Sequence, residues 1–168
     1  QGKDIVRTWL HYSILRCYLL TGCAPFSHAW IGGMGMDEQG QAMHKSKGNV
    51  VEPEPVLAKF GADAFRFWNA SEATHGSDFR CSEARIAGAH KFLTKLWNLS
   101  RFISSFPQVK SARLMSSDRW ILSELAGLID DSLKGYRGFN FFVPSTEIRD
   151  FVWETFASHY VEMVKPRA

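Results

Sequence analysis

The chain reads as a mixed fold: a remnant of a parallel α/β domain, followed by an all-α helical bundle. Three observations carry that reading. A helical stretch at the start runs directly into a glycine-bearing strand, the order found in parallel α/β units. From Glu83 onward apolar residues recur only at helical spacing. The 168 residues are 45% hydrophobic, enough for one compact domain or two small ones.

The first helix is expected over Lys3 to Leu20. Asp4 suits its first turn, Thr21-Gly22 ends it, and Pro25 prevents continuation. Its apolar residues, from Ile5 to Leu20, go around more than one face, so it wants cover on both sides. The strand-like run His28 to Met36 carries Gly32 and Gly33, where another backbone or a flat ligand can approach closely. A lone strand is unstable in water. A helix and strand with no starting strand before them therefore read as part of a longer chain.

A helix start at Pro53 and Pro55, with Val56, Leu57 and Phe60 as its apolar stripe, ends at Gly61. A short helix with Ala64, Phe65 and Trp68 inward comes next. His75-Gly76-Ser77-Asp78 reads as a turn, and the domain boundary is placed there, giving residues 1–75 and 76–168. Beyond it, helices are expected over Glu83 to Phe106, Asp118 to Tyr136 and Val143 to Lys165, with Pro144 tolerated in a first turn. Inward stripes are expected at Ile86, Leu93, Leu96, Trp97 and Ile103, at Trp120, Ile121, Leu125, Leu128, Ile129 and Leu133, and at Ile148, Phe151, Val152, Phe156, Tyr160 and Met163. Three amphipathic helices of this length suit an up-and-down bundle.

Charge and cysteine content narrow the function classes. Twenty basic and seventeen acidic residues leave a net charge of +3, too little to argue nucleic-acid binding from totals. Three cysteines, Cys17, Cys23 and Cys81, form no closely spaced metal or redox pair, and an odd count speaks against a disulfide framework. A reducing, cytoplasmic setting is expected, with no membrane partner, since no apolar run approaches the ~18 residues of a span.

The stretch around which the chain is organised is Gln41 to Val50. Glycines at 40 and 48 make it a mobile loop carrying Lys45, Ser46 and Lys47. Ammonium groups on such a loop suit phosphoryl or nucleotidyl transfer, where positioning and charge near the developing anion do most of the work. By itself, the same sequence is an ordinary polar turn.

Gly2-Lys3-Asp4-Ile5-Val6-Arg7-Thr8-Trp9, Met43-His44-Lys45-Ser46-Lys47-Gly48-Asn49-Val50-Val51 and Gly61-Ala62-Asp63-Ala64-Phe65-Arg66 together resemble, in that order, the class I aminoacyl-tRNA synthetases. Gly76-Ser77-Asp78-Phe79-Arg80 and Lys95-Leu96-Trp97-Asn98-Leu99-Ser100-Arg101-Phe102 look most like the valyl-tRNA synthetases within the valine, isoleucine and leucine group. His159-Tyr160-Val161-Glu162 with Lys165-Pro166-Arg167 is similar to the end of a long helix in that group's anticodon-binding domain. The resemblance implies the end of a Rossmann-like nucleotide-binding catalytic domain with its signature loop, then part of a helical anticodon-binding domain.

The family's signature is Lys-Met-Ser-Lys-Ser. At the matching positions stand Ala42, Met43, His44, Lys45 and Ser46, so the first lysine and the first serine are replaced. By resemblance Lys45 steadies ATP phosphates while the amino-acid carboxylate attacks the α-phosphorus, with Ser46, Met43 and His44 in the same loop. Lys47 or His44 is a candidate substitute for the missing lysine. Gly2 and Asp4 match positions that hold the adenylate ribose, a task suited to a carboxylate accepting from neighbouring hydroxyls, although Asp4 equally suits a helix cap. Trp9 matches a wall of the amino-acid pocket or is a core tryptophan, and Gly32 and Gly33 match the strand beside adenine.

The family's His-Ile-Gly-His-type motif does not occur in these residues, nor does the inserted editing domain. The chain by itself is therefore expected not to activate valine. The resemblance implies ATP as substrate with Mg2+, valine, valine tRNA, and a monomer as the full-length enzyme. By charge alone, Lys91, Lys95, Arg101, Arg113, Lys134 and Arg137 are candidates for tRNA contact. Two other readings stay open: a stand-alone tRNA-binding module, favoured by Ala42 and His44, and part of an isoleucyl-tRNA synthetase.

Overall fold

A computed structural model describes residues 1–107 and 113–167. The chain divides into two compact units, Gln1–Glu52 with Glu72–Ser82, and Pro53–Ser71 with Glu83–Ala168. The division is not sequential at residue 75. Pairing of the 75–81 segment with the 31–36 segment returns Glu72–Ser82 to the first unit, while the helix starting at Pro53 packs with the later helices.

In the first unit the opening helix has three geometries. A 3-10 turn, Lys3–Ile5, leads into a π turn, Val6–Leu10, and then into α1, His11–Thr21. The expected uniform helix from Lys3 is therefore replaced by three successive geometries, and its first free amide, Lys3 N–H, donates to the Gly32 carbonyl at 3.1 Å. Gly22, at φ 73°, stops α1 as expected. Trp9, Tyr18, Leu19 and Leu20 on this helix are all more than half exposed.

The run His28 to Met36 is strand only at β1, Gly35–Met36, which pairs in parallel with β2, Phe79–Arg80. Upstream, Gly32 pairs singly with Gly2 in parallel and with His75 antiparallel. The turn at Gly76, φ 68°, precedes a close approach of the Ser77 backbone to Gly33.

The second unit is helical. α2 spans Pro53–Phe60 and α3 Ala62–Glu72, separated by Gly61 at φ 82°. α4 spans Glu83–Ser104 and α5 Ser116–Arg137. A continuous stretch then runs through α6, Phe142–Asp150, a π-helical segment, Phe151–Tyr160, α7, Val161–Val164, and a 3-10 turn, Lys165–Arg167. Pro144 lies buried in the first turn of α6, where its missing N–H costs nothing. Gly135 lets α5 approach it, since a Cβ there would stand 2.5 Å from the Pro144 ring.

The core of this unit is Val56, Ala64, Trp68, Ile86, Ala89, Phe92, Ile121, Ala157 and Val161. Phe92 links Phe67 and Trp153, with ring centroids 4.9 and 6.4 Å away. The apolar stripes are less covered than their periodicity implies. Leu57, Leu96, Trp97, Ile103, Trp120, Leu125, Ile129, Leu133 and Met163 are exposed, because apolar residues span a wider arc of each helix than one neighbour covers. Phe156 and Tyr160 instead border two apolar cavities of about 500 and 480 Å3. Among the described residues no helix is long and apolar enough to cross a membrane.

Candidate functional site

The loop after β1 is built on one carboxylate. Asp37 is nearly buried, at 9% exposure. Its own N–H donates to the Gln41 carbonyl at 2.8 Å, and its Oδ1 accepts from the Gln41 N–H at 2.7 Å. Gly40, at φ 81°, closes this turn and donates its N–H to the Asp37 carbonyl, so that Ala42 returns opposite Met36. Met43 then donates its N–H to the Gly35 carbonyl at 3.4 Å, and its side chain covers Gly35.

Asn49 closes the loop. Its Nδ2 donates to Asp37 Oδ2 at 2.7 Å and to the Ala42 carbonyl at 3.2 Å, while its Oδ1 accepts from the His44 N–H at 2.9 Å. Hydrogen bonds from Asn49 and from the Gln41 amide hold the Asp37 carboxyl below the usual carboxylate range. Between the clamped ends, Lys45–Lys47 form a 3-10 turn with Lys47 N–H on His44 O at 2.9 Å. Gly48 follows at φ 65°, in the left-handed region.

Lys45, Ser46 and Lys47 are exposed, and among the described residues neither lysine has an ion-pair partner. The arrangement is a pair of unneutralised ammonium groups on a small turn whose base is fixed. Such a turn can meet an incoming polyphosphate without first breaking a salt bridge.

The other residues read from the sequence lie elsewhere in the same unit. Gly2 and Gly32 are adjacent across a backbone pair, and Asp4 is exposed beside Gly2, whose added Cβ would meet Asp4 Oδ1 at 2.6 Å. The approach at Gly33 is by backbone: a Cβ there would stand 1.7 Å from the Ser77 carbonyl oxygen. At Gly32 the neighbour is the Trp30 ring, 2.5 Å from such an atom. Trp9 stacks on Phe26, with centroids 6.2 Å apart and planes 4° from parallel.

Sequence reasoning missed Asp37 and Asn49, twelve residues apart. It also missed the function of Asp78, whose Oδ1 accepts from the Met34 N–H at 2.8 Å and pairs with Lys3 Nζ at 2.7 Å. Those contacts hold the Asp78 carboxyl below its ordinary range. The only advance signal for Asp37 was its place at the end of an apolar run, just before a glycine turn.

In the helical unit the six basic candidates divide. Lys91, Arg101, Arg113 and Arg137 are exposed. Lys95 is half-buried, with its ammonium 4.1 Å over the Trp153 ring and donating to the Trp153 carbonyl. Lys134 pairs with Asp131 at 2.8 Å. A cluster around the buried Asp118, unforeseen from sequence, ties the last helical turn to the start of α5. Asp118 accepts from the Met115 N–H at 2.7 Å, from the Tyr160 hydroxyl at 2.8 Å and from the Arg167 guanidinium.

Two family models match the chain. The family model for tRNA synthetases class I (I, L, M and V) matches residues 1–82, and that for the anticodon-binding domain of tRNA ligase matches residues 118–168. The chain belongs to the class I tRNA synthetases. Its relatives include the valine–tRNA ligases of Pyrobaculum aerophilum and Aeropyrum pernix, each 46% identical over 100% of this chain and 21% of the relative. The valine–tRNA ligase of Nanoarchaeum equitans is 43% identical over 100% of this chain and 22% of its own length. The chain thus spans about a fifth of the length of these curated relatives. Among solved structures, LeuRS (agnB2) of Agrobacterium radiobacter K84, in a ternary complex with tRNA and LeuAMS, has a similar fold. Its TM-score is 0.75 at 19% identity, over 99% of this chain and 23% of that one.

Proposed function

We propose that this chain supplies the signature loop and the first anticodon-domain helices of a valine–tRNA ligase. In the proposed reaction a carboxylate oxygen of valine bonds to the α-phosphorus of ATP. The bond from that phosphorus to the bridging oxygen breaks, and pyrophosphate leaves with the electron pair. A ribose hydroxyl of valine tRNA then attacks the carbonyl of the valyl-adenylate, forming the ester and releasing AMP. The observation that carries this reading is the exposed turn at Lys45, free of ion pairs among the described residues and fixed at its base, in a chain similar over its whole length to valine–tRNA ligases.

Lys45 places its ammonium against the phosphates, where charge grows as pyrophosphate departs, so its contribution is largest in the transition state. Ser46 donates from the same turn, and the half-buried Met43 seats the loop on Gly35. Asp4, beside Gly2, Gly32 and Gly33, accepts from the adenylate ribose, and Trp9 borders the valine pocket. Mg2+ enters with ATP as part of the substrate; phosphate oxygens and water supply its ligands. The first unit, Gln1–Glu52 with Glu72–Ser82, contributes to catalysis, and the helices from Glu83 onward to tRNA binding. The native enzyme acts as a monomer in the cytoplasm.

The testing experiment is valine-dependent exchange of pyrophosphate with ATP, run on the native polypeptide carrying this sequence and on the 168 residues alone. The native polypeptide is expected to exchange with valine in preference to isoleucine, and the 168 residues not at all. Preference for isoleucine would move the assignment to that synthetase. A native mass near 19 kDa together with no exchange would leave the tRNA-binding module, the reading that Ala42 and His44 favour.

A further inference from the structure

We infer that Asn49, anchored by Asp37, is a positioning residue that holds the Lys45 ammonium in register with the reacting phosphates. The inference rests on the adenylate-forming reading above. Its ground is that a single side-chain amide closes both ends of the loop. Asn49 Oδ1 takes the His44 N–H, the residue immediately before Lys45, and Asn49 Nδ2 takes the Ala42 carbonyl. Its remaining donor goes to Asp37, whose other oxygen is fixed by the Gln41 N–H.

Outside this ring lie only Lys45 to Gly48, and their own bonds are local, Lys47 N–H to His44 O and Gly48 N–H to Lys45 O. The pose of Lys45 therefore depends on the position of His44, and His44 is held by Asn49. Without the amide the exposed glycine-ended turn keeps no non-local hydrogen bond among the described residues. A turn of that kind opens at little cost. A misplacement of about 1 Å is enough to cost roughly a hundredfold in a positioned reaction.

Asp37 suits the anchor because it does not compete for Lys45. Its carboxylate lies nearly buried at the base of the loop and is filled by neutral donors, Asn49 and Gln41, leaving the ammonium groups for substrate. A lysine at either donor position would neutralise the carboxylate but would draw a cation away from the turn.

The experiment is a mutant cycle in valine-dependent pyrophosphate exchange with the native polypeptide. Asn49→Ala is expected to lower kcat about tenfold or more, with KM for valine within about twofold, and to cause no further loss in a Lys45→Ala background. An equal loss in that background would overturn the inference, because a merely structural role is additive. A wild-type kcat for Asn49→Ala would overturn it too. Should Asn49→Ala not fold, Asn49→Asp keeps the acceptor for the His44 N–H but sets a carboxylate against Asp37; adding Asp37→Asn restores the donor between the two and leaves only the Ala42 carbonyl without one. A kcat for the exchanged pair above that of Asn49→Asp supports the inference, and a kcat no higher sinks it. A wild-type protein without exchange on any amino acid would instead sink the ligase reading; slow amide exchange at Gln41 and His44 would still report the ring itself.

Discussion

Gly33 and Ser77 meet backbone to backbone, so closely that a Cβ on Gly33 would stand 1.7 Å from the Ser77 carbonyl oxygen. The contact fixes the turn after His75, and with it Asp78, whose carboxylate takes the Met34 N–H and the Lys3 ammonium. One absent side chain thus joins three stretches of the first unit: its opening turn, its strand and its returning segment.

Gly33→Ala is accordingly expected to destabilise the first unit by about 1–3 kcal/mol or more, because backbone rather than a flexible side-chain tip must yield. Gly88→Ala and Gly127→Ala, in α4 and α5, meet nothing within 4 Å. Each is expected to stabilise by up to about 1 kcal/mol through helix propensity. Denaturant midpoints of the three variants check both signs. A Gly33→Ala midpoint equal to wild type would refute the close contact.

Asp118 gives the helical unit a defined acid sensitivity. The Arg167 guanidinium beside it, with the Met115 N–H and the Tyr160 hydroxyl, holds its carboxyl well below the usual range. A group with a depressed folded pKa stabilises fully above its unfolded value, about 3.9, and loses that contribution as pH falls below it toward the folded value. Asp118→Asn is therefore expected to lower the melting temperature at pH 7 markedly and the difference to shrink as pH falls below about 4. A gap that is constant between pH 7 and pH 3 would contradict the ion-pair origin.

What the sequence made legible was local. Gly22 and Gly61 stop helices where a left-handed residue is needed, and the turn at Gly76 falls where expected. The turn carrying Lys45 and Lys47 was legible because its charges and glycines are contiguous. The Asp37–Asn49 clamp and the Asp118–Arg167 pair were not, since nothing near either carboxylate in sequence marks a partner twelve or forty-nine residues away. Helical periodicity also overstated burial. It placed Ile86 and Trp97 on one stripe, yet Ile86 is fully buried and Trp97 is 68% exposed. Periodicity reports which residues share a face, and only packing decides how far a neighbour reaches around it.

The basic residues of the helical unit are expected to separate in tRNA binding. Arg101→Ala and Lys91→Ala remove exposed cations and should reduce the salt dependence of binding, each by up to about one unit of slope if it meets a phosphate. Lys95→Ala removes a cation already spent on the Trp153 ring and carbonyl, so it should lower thermal stability while leaving the slope unchanged. Titration of binding against salt, beside melting curves, distinguishes the two. A slope change for Lys95→Ala with unaltered melting would reverse the assignment.

The two lysines of the signature turn are expected to differ sharply. In a 3-10 turn, residues repeat every third position, so Lys45 and Lys47 leave the backbone in directions about 120° apart and cannot both follow one phosphate chain without deforming the turn. Lys45 adjoins His44, whose amide is held by Asn49, whereas Lys47 adjoins Gly48, which has open space around it. The fixed lysine is the one that can be aimed. Lys45→Ala is therefore expected to reduce kcat of valine-dependent exchange by about 10²–10³, the range for loss of one preorganised group on a developing anion. Lys47→Ala should stay within a few-fold, unless Lys47 replaces the lysine that Ala42 lacks. In that case Lys47→Ala approaches Lys45→Ala in effect, and the turn must open on binding ATP. Parallel kcat and KM measurements for both variants decide which geometry the enzyme uses.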